Sequence, residues 1–70
     1  MSNQIFPKRL QNLRKQKQLS AHALSELCGM GKNRILLYEK GEQEPTISKL
    51  EAIADFFDVS TDYLLGRDHK

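Results

Sequence analysis

Only three residues, Gly29-Met30-Gly31, separate two short stretches that each read as helix, and this leaves the chain little freedom in what it builds. A glycine-containing turn of that length forces two helices to cross sharply and leaves the second proud of the surface. Before the turn, Ser20 is an N-cap candidate, and Leu24, Leu27 and Cys28 are expected to face inward. Gly29 ends that helix because glycine accepts positive φ without penalty. After the turn, a helix is predicted from about Lys32 to Lys40, closed by Gly41. Ile35 and Tyr38 share one face of it at about 100° per residue, so both must be buried.

The remaining punctuation predicts three more helices. Helix formers dominate and β-branched residues are few, so the expected class is all-α. Pro7 favours a first helical position, and Phe6, Leu10 and Leu13 follow as an inner stripe of a helix running to about Lys17. After Gly41, Pro45 in the loop Glu42-Gln43-Glu44-Pro45 blocks any continuous helix into the next element. Thr46 then caps a helix over 47–57 with Leu50, Ile53, Ala54 and Phe57 inward. Ser60 caps a last helix over 61–65, with Asp62 complementing its dipole and Gly66 ending it. The 70 residues make one domain at most, divided here into an arm (1–6), a domain (7–66) and a frayed tail (67–70).

Several function classes are disfavoured at once. The single Cys28 cannot form an internal disulfide and fits a reducing cytoplasm. It is read as a small core residue, not a nucleophile. No apolar run is long enough for a membrane span, and no signal-peptide stretch opens the sequence. His22 lies six residues before Cys28, on the opposite side of its helix, and no metal or phosphate-loop spacing is present. No cofactor, metal site or catalytic residue is expected. The formal charge of +2 says little, but its distribution says more. Up to Arg34 seven basic residues face Glu26 alone; beyond it four basic residues face eight acids. Such polarity suits a molecule with one side turned to a polyanion, although solvated helix faces give the same pattern.

The sequence Leu19-Ser20, Leu24, Leu27-Cys28-Gly29-Met30, Ile35, Tyr38-Glu39-Lys40-Gly41 and Glu44-Pro45-Thr46 resembles the Cro/C1-type (XRE-like) helix-turn-helix family of bacterial and phage regulators. Residues 57–65 resemble that family's usual ending, so the likeness spans about residues 8 to 66. It implies a five-helix, lambda-repressor-like domain with the helix-turn-helix at helices two and three. It also implies a transcription regulator, expected to be a dimeric repressor, whose partner is double-stranded DNA. Ala21 departs from the family, which often has a phosphate-bonding glutamine there; His22 or Lys17 is the expected substitute. The family further implies that Arg14 bridges to Glu39, fixing helix three against helix one.

On the open face of helix three, Lys32, Asn33 and Leu37 are the base-contact candidates. Asn33 can pair with adenine N6 and N7, Lys32 can donate to guanine O6 and N7, and Leu37 can meet a thymine methyl group. Leu36 is open to partial burial or to a protein partner. Arg34 flanks the face and suits a phosphate, as do Lys17, Ser20, Lys40 and Thr46. Phe56, Tyr63 and Leu65 are candidates for a dimer surface, because not every apolar side chain near helix five can enter one small core. The rival reading is a protein-interaction module, such as an antitoxin or co-regulator, gripping a regulatory protein partner through Leu36, Leu37 or helix five. All of this requires one side of the stretch from Lys32 to Lys40 to face solvent.

Overall fold

A computed structural model describes residues 4–31 and 33–67, and within them every regular element is an α-helix. These are α1 (Ile5–Gln16), α2 (Ala21–Leu27), α3 (Arg34–Lys40), α4 (Ile47–Phe57) and α5 (Thr61–Leu65). The last two have the bounds their caps and apolar spacing predicted. Thr46 Oγ1 accepts from Lys49 N–H at 3.3 Å and Ser60 Oγ from Tyr63 N–H at 2.9 Å.

The first helix starts two residues before the expected Pro7, so Ile5 and Phe6 belong to it and not to an arm. Pro7 is tolerated as the third helical residue because the first N–H groups of a helix have no carbonyl to bond. The ladder opens one residue later, from Lys8 N–H to the Gln4 carbonyl. Phe6 and Leu10 are buried from this helix, with Leu13 packed beside them.

All five helices end the same way. The residue after the last turn adopts a left-handed backbone, and the N–H that follows reaches back five residues. These bonds run from Leu19 to Arg14, Met30 to Ser25, Glu42 to Leu37, Val59 to Ala54, and Arg67 to Asp62, at 2.8–3.2 Å. At Gly66 two constraints coincide. Its φ is +77°, and a Cβ there would lie 2.7 Å from Ile5 Cδ1, 2.8 Å from Cγ2 and 3.3 Å from Cβ. Gly66→Ala is therefore expected to lower stability by about 2 kcal/mol through left-handed strain and overpacking against α1. Urea melts check this, and a loss under about 0.5 kcal/mol, the range of a neutral surface change, would show that α1 and α5 part without cost.

The core is shared by all five helices. Leu24, Ile35, Ile53 and Leu64 have no exposed surface, and Tyr38 is 1% exposed. Phe6 and Tyr38 meet with ring centroids 6.0 Å apart, coupling α1 to α3. Arg9 joins α1 to α5: its Nη1 donates to the Tyr63 carbonyl at 2.6 Å, and its guanidinium lies 4.3 Å from the Tyr63 ring centroid.

One expectation for the core fails. Leu27 was expected inward, yet it is 59% exposed. The inward arc of α2 runs through Leu24, Cys28, Ala21 and the fully buried Ser25. At about 100° per residue Leu27 falls about 110° from the middle of that arc. Ser25, small enough to let α3 approach, occupies the inner position instead.

Candidate nucleic-acid interface

α3 is only seven residues long, too short to be stable as an isolated helix. It is held from two sides, by α2 through the tight turn and by α1. At the turn, Gly29 N–H bonds the Glu26 carbonyl at 3.0 Å and Met30 N–H bonds the Ser25 carbonyl at 2.8 Å. Gly29 has φ +70°, which allows this reversal in so few residues. The helix begins at Arg34, later than the expected Lys32, with Asn33 as its N-cap residue. Asn33 makes no side-chain cap bond. The donor of the first turn is satisfied from the neighbouring helix: Ser25 Oγ accepts from Ile35 N–H at 3.1 Å and donates to the Ala21 carbonyl at 2.9 Å.

From the other side, Arg14 on α1 grips Glu39 with two parallel bonds, Nε to Oε2 at 2.6 Å and Nη2 to Oε1 at 2.9 Å. Its Nη1 donates to the Leu19 carbonyl at 2.8 Å. The Arg14 side chain is 14% exposed and that of Glu39 3%. Donating hydrogen bonds to Glu39 raises the Arg14 pKa against the opposing effect of burial, so the guanidinium stays charged. The pair that the family resemblance implied is thus made, and it is largely removed from water.

The opposite side of α3 is open among the described residues. Asn33 and Lys40 are exposed, and Leu36 is 37% exposed. Leu37 is half-buried, so of the two leucines Leu36 presents more surface. Lys32 lies outside the described residues. Arg34 is half-buried and donates from Nη1 to Gln43 Oε1 at 3.0 Å, tying α3 to the loop before α4. Tyr38 is buried beneath, and its hydroxyl pKa is pushed up by burial, with Arg34 opposing.

Lys17, Ser20 and Thr46, the expected phosphate contacts outside α3, are all exposed. Ser20 and Thr46 use their hydroxyls as caps, for Ala23 N–H at 3.0 Å and Lys49 N–H at 3.3 Å. His22 is exposed and sits 3.2 Å from Glu26 on the next turn. Phe56, Tyr63 and Leu65 are half-buried against the core, and Phe56 packs edge-on to Phe57 at 5.1 Å. Cys28 is half-buried, and burial raises its thiol pKa, which disfavours the reactive thiolate.

Two residues of this site escape a reading of the sequence. Ser25 looks like an ordinary surface serine, although its place one residue after Leu24 on the Leu24–Cys28 stripe marks it as a contact position. Gln43 carries no sequence signal at all.

The helix-turn-helix family model HTH_3 matches residues 10–64. The chain is 40% identical over 60 residues to the HTH-type transcriptional regulator AnsR of Bacillus subtilis, covering 86% of this chain and 52% of that protein. It is 34% identical over 55 residues to the cryptic phage CTXphi transcriptional repressor RstR of Vibrio cholerae, covering 79% of this chain and 50% of the repressor. The crystal structure of an HTH_3 family transcriptional regulator from Vibrio cholerae superposes with a TM-score of 0.75 at 36% identity. That match covers 96% of this chain and 37% of the other. The chain therefore spans about half the length of the curated relatives it matches. With its turn, its α2–α3 crossing and its matched sequence in agreement, the chain belongs to the helix-turn-helix family HTH_3.

Proposed function

We propose that the chain is a sequence-specific double-stranded DNA-binding transcription regulator without enzymatic activity, acting in the cytoplasm on the nucleoid. The observation that carries this is a short helix sealed on one side by Ile35, Tyr38 and Glu39 and open on the other at Asn33, Leu36 and Lys40. Such a helix fits the major groove with its N-terminal residues toward the base edges. Asn33, with Lys32 beside it in sequence and Leu37, reads bases; Lys17, Ser20, Arg34, Lys40 and Thr46 hold phosphates. The regulator names carried by the relatives, one of them a phage repressor, support repression by occupancy of a promoter.

One such helix reads only a few base pairs, so the working form is a homodimer on a palindromic operator with half-sites about 34–36 Å apart. Phe56, Tyr63 and Leu65 are the dimer candidates, although Arg9 covers one face of the Tyr63 ring.

Selection of bound duplexes from a random pool tests this reading. A two-fold symmetric sequence is the expected result, and binding should fall steeply with salt as phosphates are neutralised. No binding even at low salt would favour a protein-interaction module instead. On the selected site, Asn33→Ala should lose about 1–3 kcal/mol and relax preference at one base pair. Equal losses on selected and random DNA would remove Asn33 from base readout. Lys40→Ala should weaken both DNAs alike and flatten the salt slope by about one unit. An unchanged slope would remove it from the phosphate contacts.

A further inference from the structure

We infer that Ser25, which touches no DNA, is a positioning residue that fixes the attitude of α3 and thereby governs discrimination between operator and random sequence. This inference rests on the base-reading role proposed above. Ser25 has no exposed surface and stands where α2 crosses α3. Three bonds converge on it. Its carbonyl accepts Met30 N–H at 2.8 Å, which fixes the exit of the turn. Its hydroxyl donates to the Ala21 carbonyl at 2.9 Å, which leaves a lone pair directed away from α2. That lone pair receives Ile35 N–H at 3.1 Å.

The last bond matters because α3 has no side-chain cap of its own: Asn33 occupies the N-cap position and makes no cap bond. The first turn is therefore held in direction by a side chain of the preceding helix. That leaves the Asn33 side chain without a capping task. Asn33 lies two residues before Ile35, so tilting this turn displaces it directly. Base-edge hydrogen bonds form only within about 2.7–3.2 Å and near-linear geometry. Attraction between lysines and phosphates varies gently with distance and survives a small tilt. Loss of the Ser25 hydroxyl should thus cost specific binding and spare random binding.

The test compares Ser25→Ala with the wild-type chain at low temperature, where both are folded by circular dichroism. Leu64→Val serves as a control that loosens the core on α5, away from the crossing. Dissociation constants are measured on the selected operator and on a random duplex, and amide exchange is followed at Ile35. Ser25→Ala should lose tenfold or more in operator preference, a factor of about the size of one mismatched base pair. Random-duplex affinity should stay within about twofold of wild type, by the same phosphate argument. Ile35 exchange should accelerate, and Leu64→Val should keep its preference.

Faster Ile35 exchange with unchanged preference would overturn the inference, reducing Ser25 to a local cap. So would equal losses on both duplexes, or the same loss of preference in Leu64→Val. If Ser25→Ala does not fold, Ser25→Cys, which keeps a weak acceptor of similar size, should show intermediate preference; full preference there with fast Ile35 exchange overturns the inference as well. A wild-type chain that prefers no sequence is a different result. It removes the base-reading role itself, while Ile35 exchange still reports whether Ser25 holds the first turn.

Discussion

Arg14→Ala should lower the free energy of unfolding by about 3–5 kcal/mol, as expected when one member of a buried ion pair is removed. For 70 residues the whole stability is about 4–10 kcal/mol, so this one change should remove a large share of it. The size of the effect comes from what is left behind. The Glu39 carboxylate, 3% exposed, loses both of its guanidinium donors, and the Leu19 carbonyl loses a third. The intact pair need contribute little net stability, because desolvating two charges offsets most of their attraction. Its role is to hold α3 against α1 in one register.

These statements separate in a double-mutant cycle. Arg14→Met with Glu39→Leu should recover most of what Arg14→Ala loses, since no charge is then stranded. Urea melts of Arg14→Met, Glu39→Leu, the double variant and the wild type give the coupling. A single-variant loss below about 1 kcal/mol would mean that the pair behaves as an exposed bridge. A double variant as unstable as the sum of its singles would mean that the two residues act independently.

How much of this was legible in the sequence depended on how local the cause was. α4 and α5 were readable to the residue because Thr46 and Ser60 cap them from within, and because Leu50, Ile53, Ala54 and Phe57 repeat at helical spacing. The start of α1 was misplaced by two residues. Pro7 marks the first turn of a helix but not which residue of that turn it occupies. The start of α3 was placed too early for a different reason. Its first turn is organised by Ser25 from another helix, and no signal within residues 32–35 reports that.

Leu27 shows the same limit. Leu24, Leu27 and Cys28 form a plausible apolar stripe in isolation, but tertiary packing selected the arc through Leu24 and Ser25. Arg14 and Glu39 stand 25 positions apart, so only resemblance to a family could pair them. Serines are mostly exposed, and although its place beside Leu24 marks Ser25 as a contact position, the buried N–H it satisfies is not readable until the helices are placed.

The dependence of α3 on its neighbours makes Ile35→Ala the other large effect. A seven-residue helix lacks the length to hold itself, so its helicity is a consequence of burying Ile35 and Tyr38. Ile35 has no exposed surface, and truncating it removes most of its side chain from a closed core. The expected loss is about 2–5 kcal/mol, from lost burial and from the cavity left behind. Ile35→Val, which removes one methylene, should cost only about 0.5–1.5 kcal/mol and keep the helix in place. Unlike Asn33→Ala, which is exposed and should leave stability almost unchanged, Ile35→Ala should abolish DNA binding only where it unfolds α3. Binding measured across a temperature series should then follow the folded fraction. Should Ile35→Ala cost less than about 1 kcal/mol, or lose binding while fully folded, burial of this side chain would not be what holds the helix at the surface.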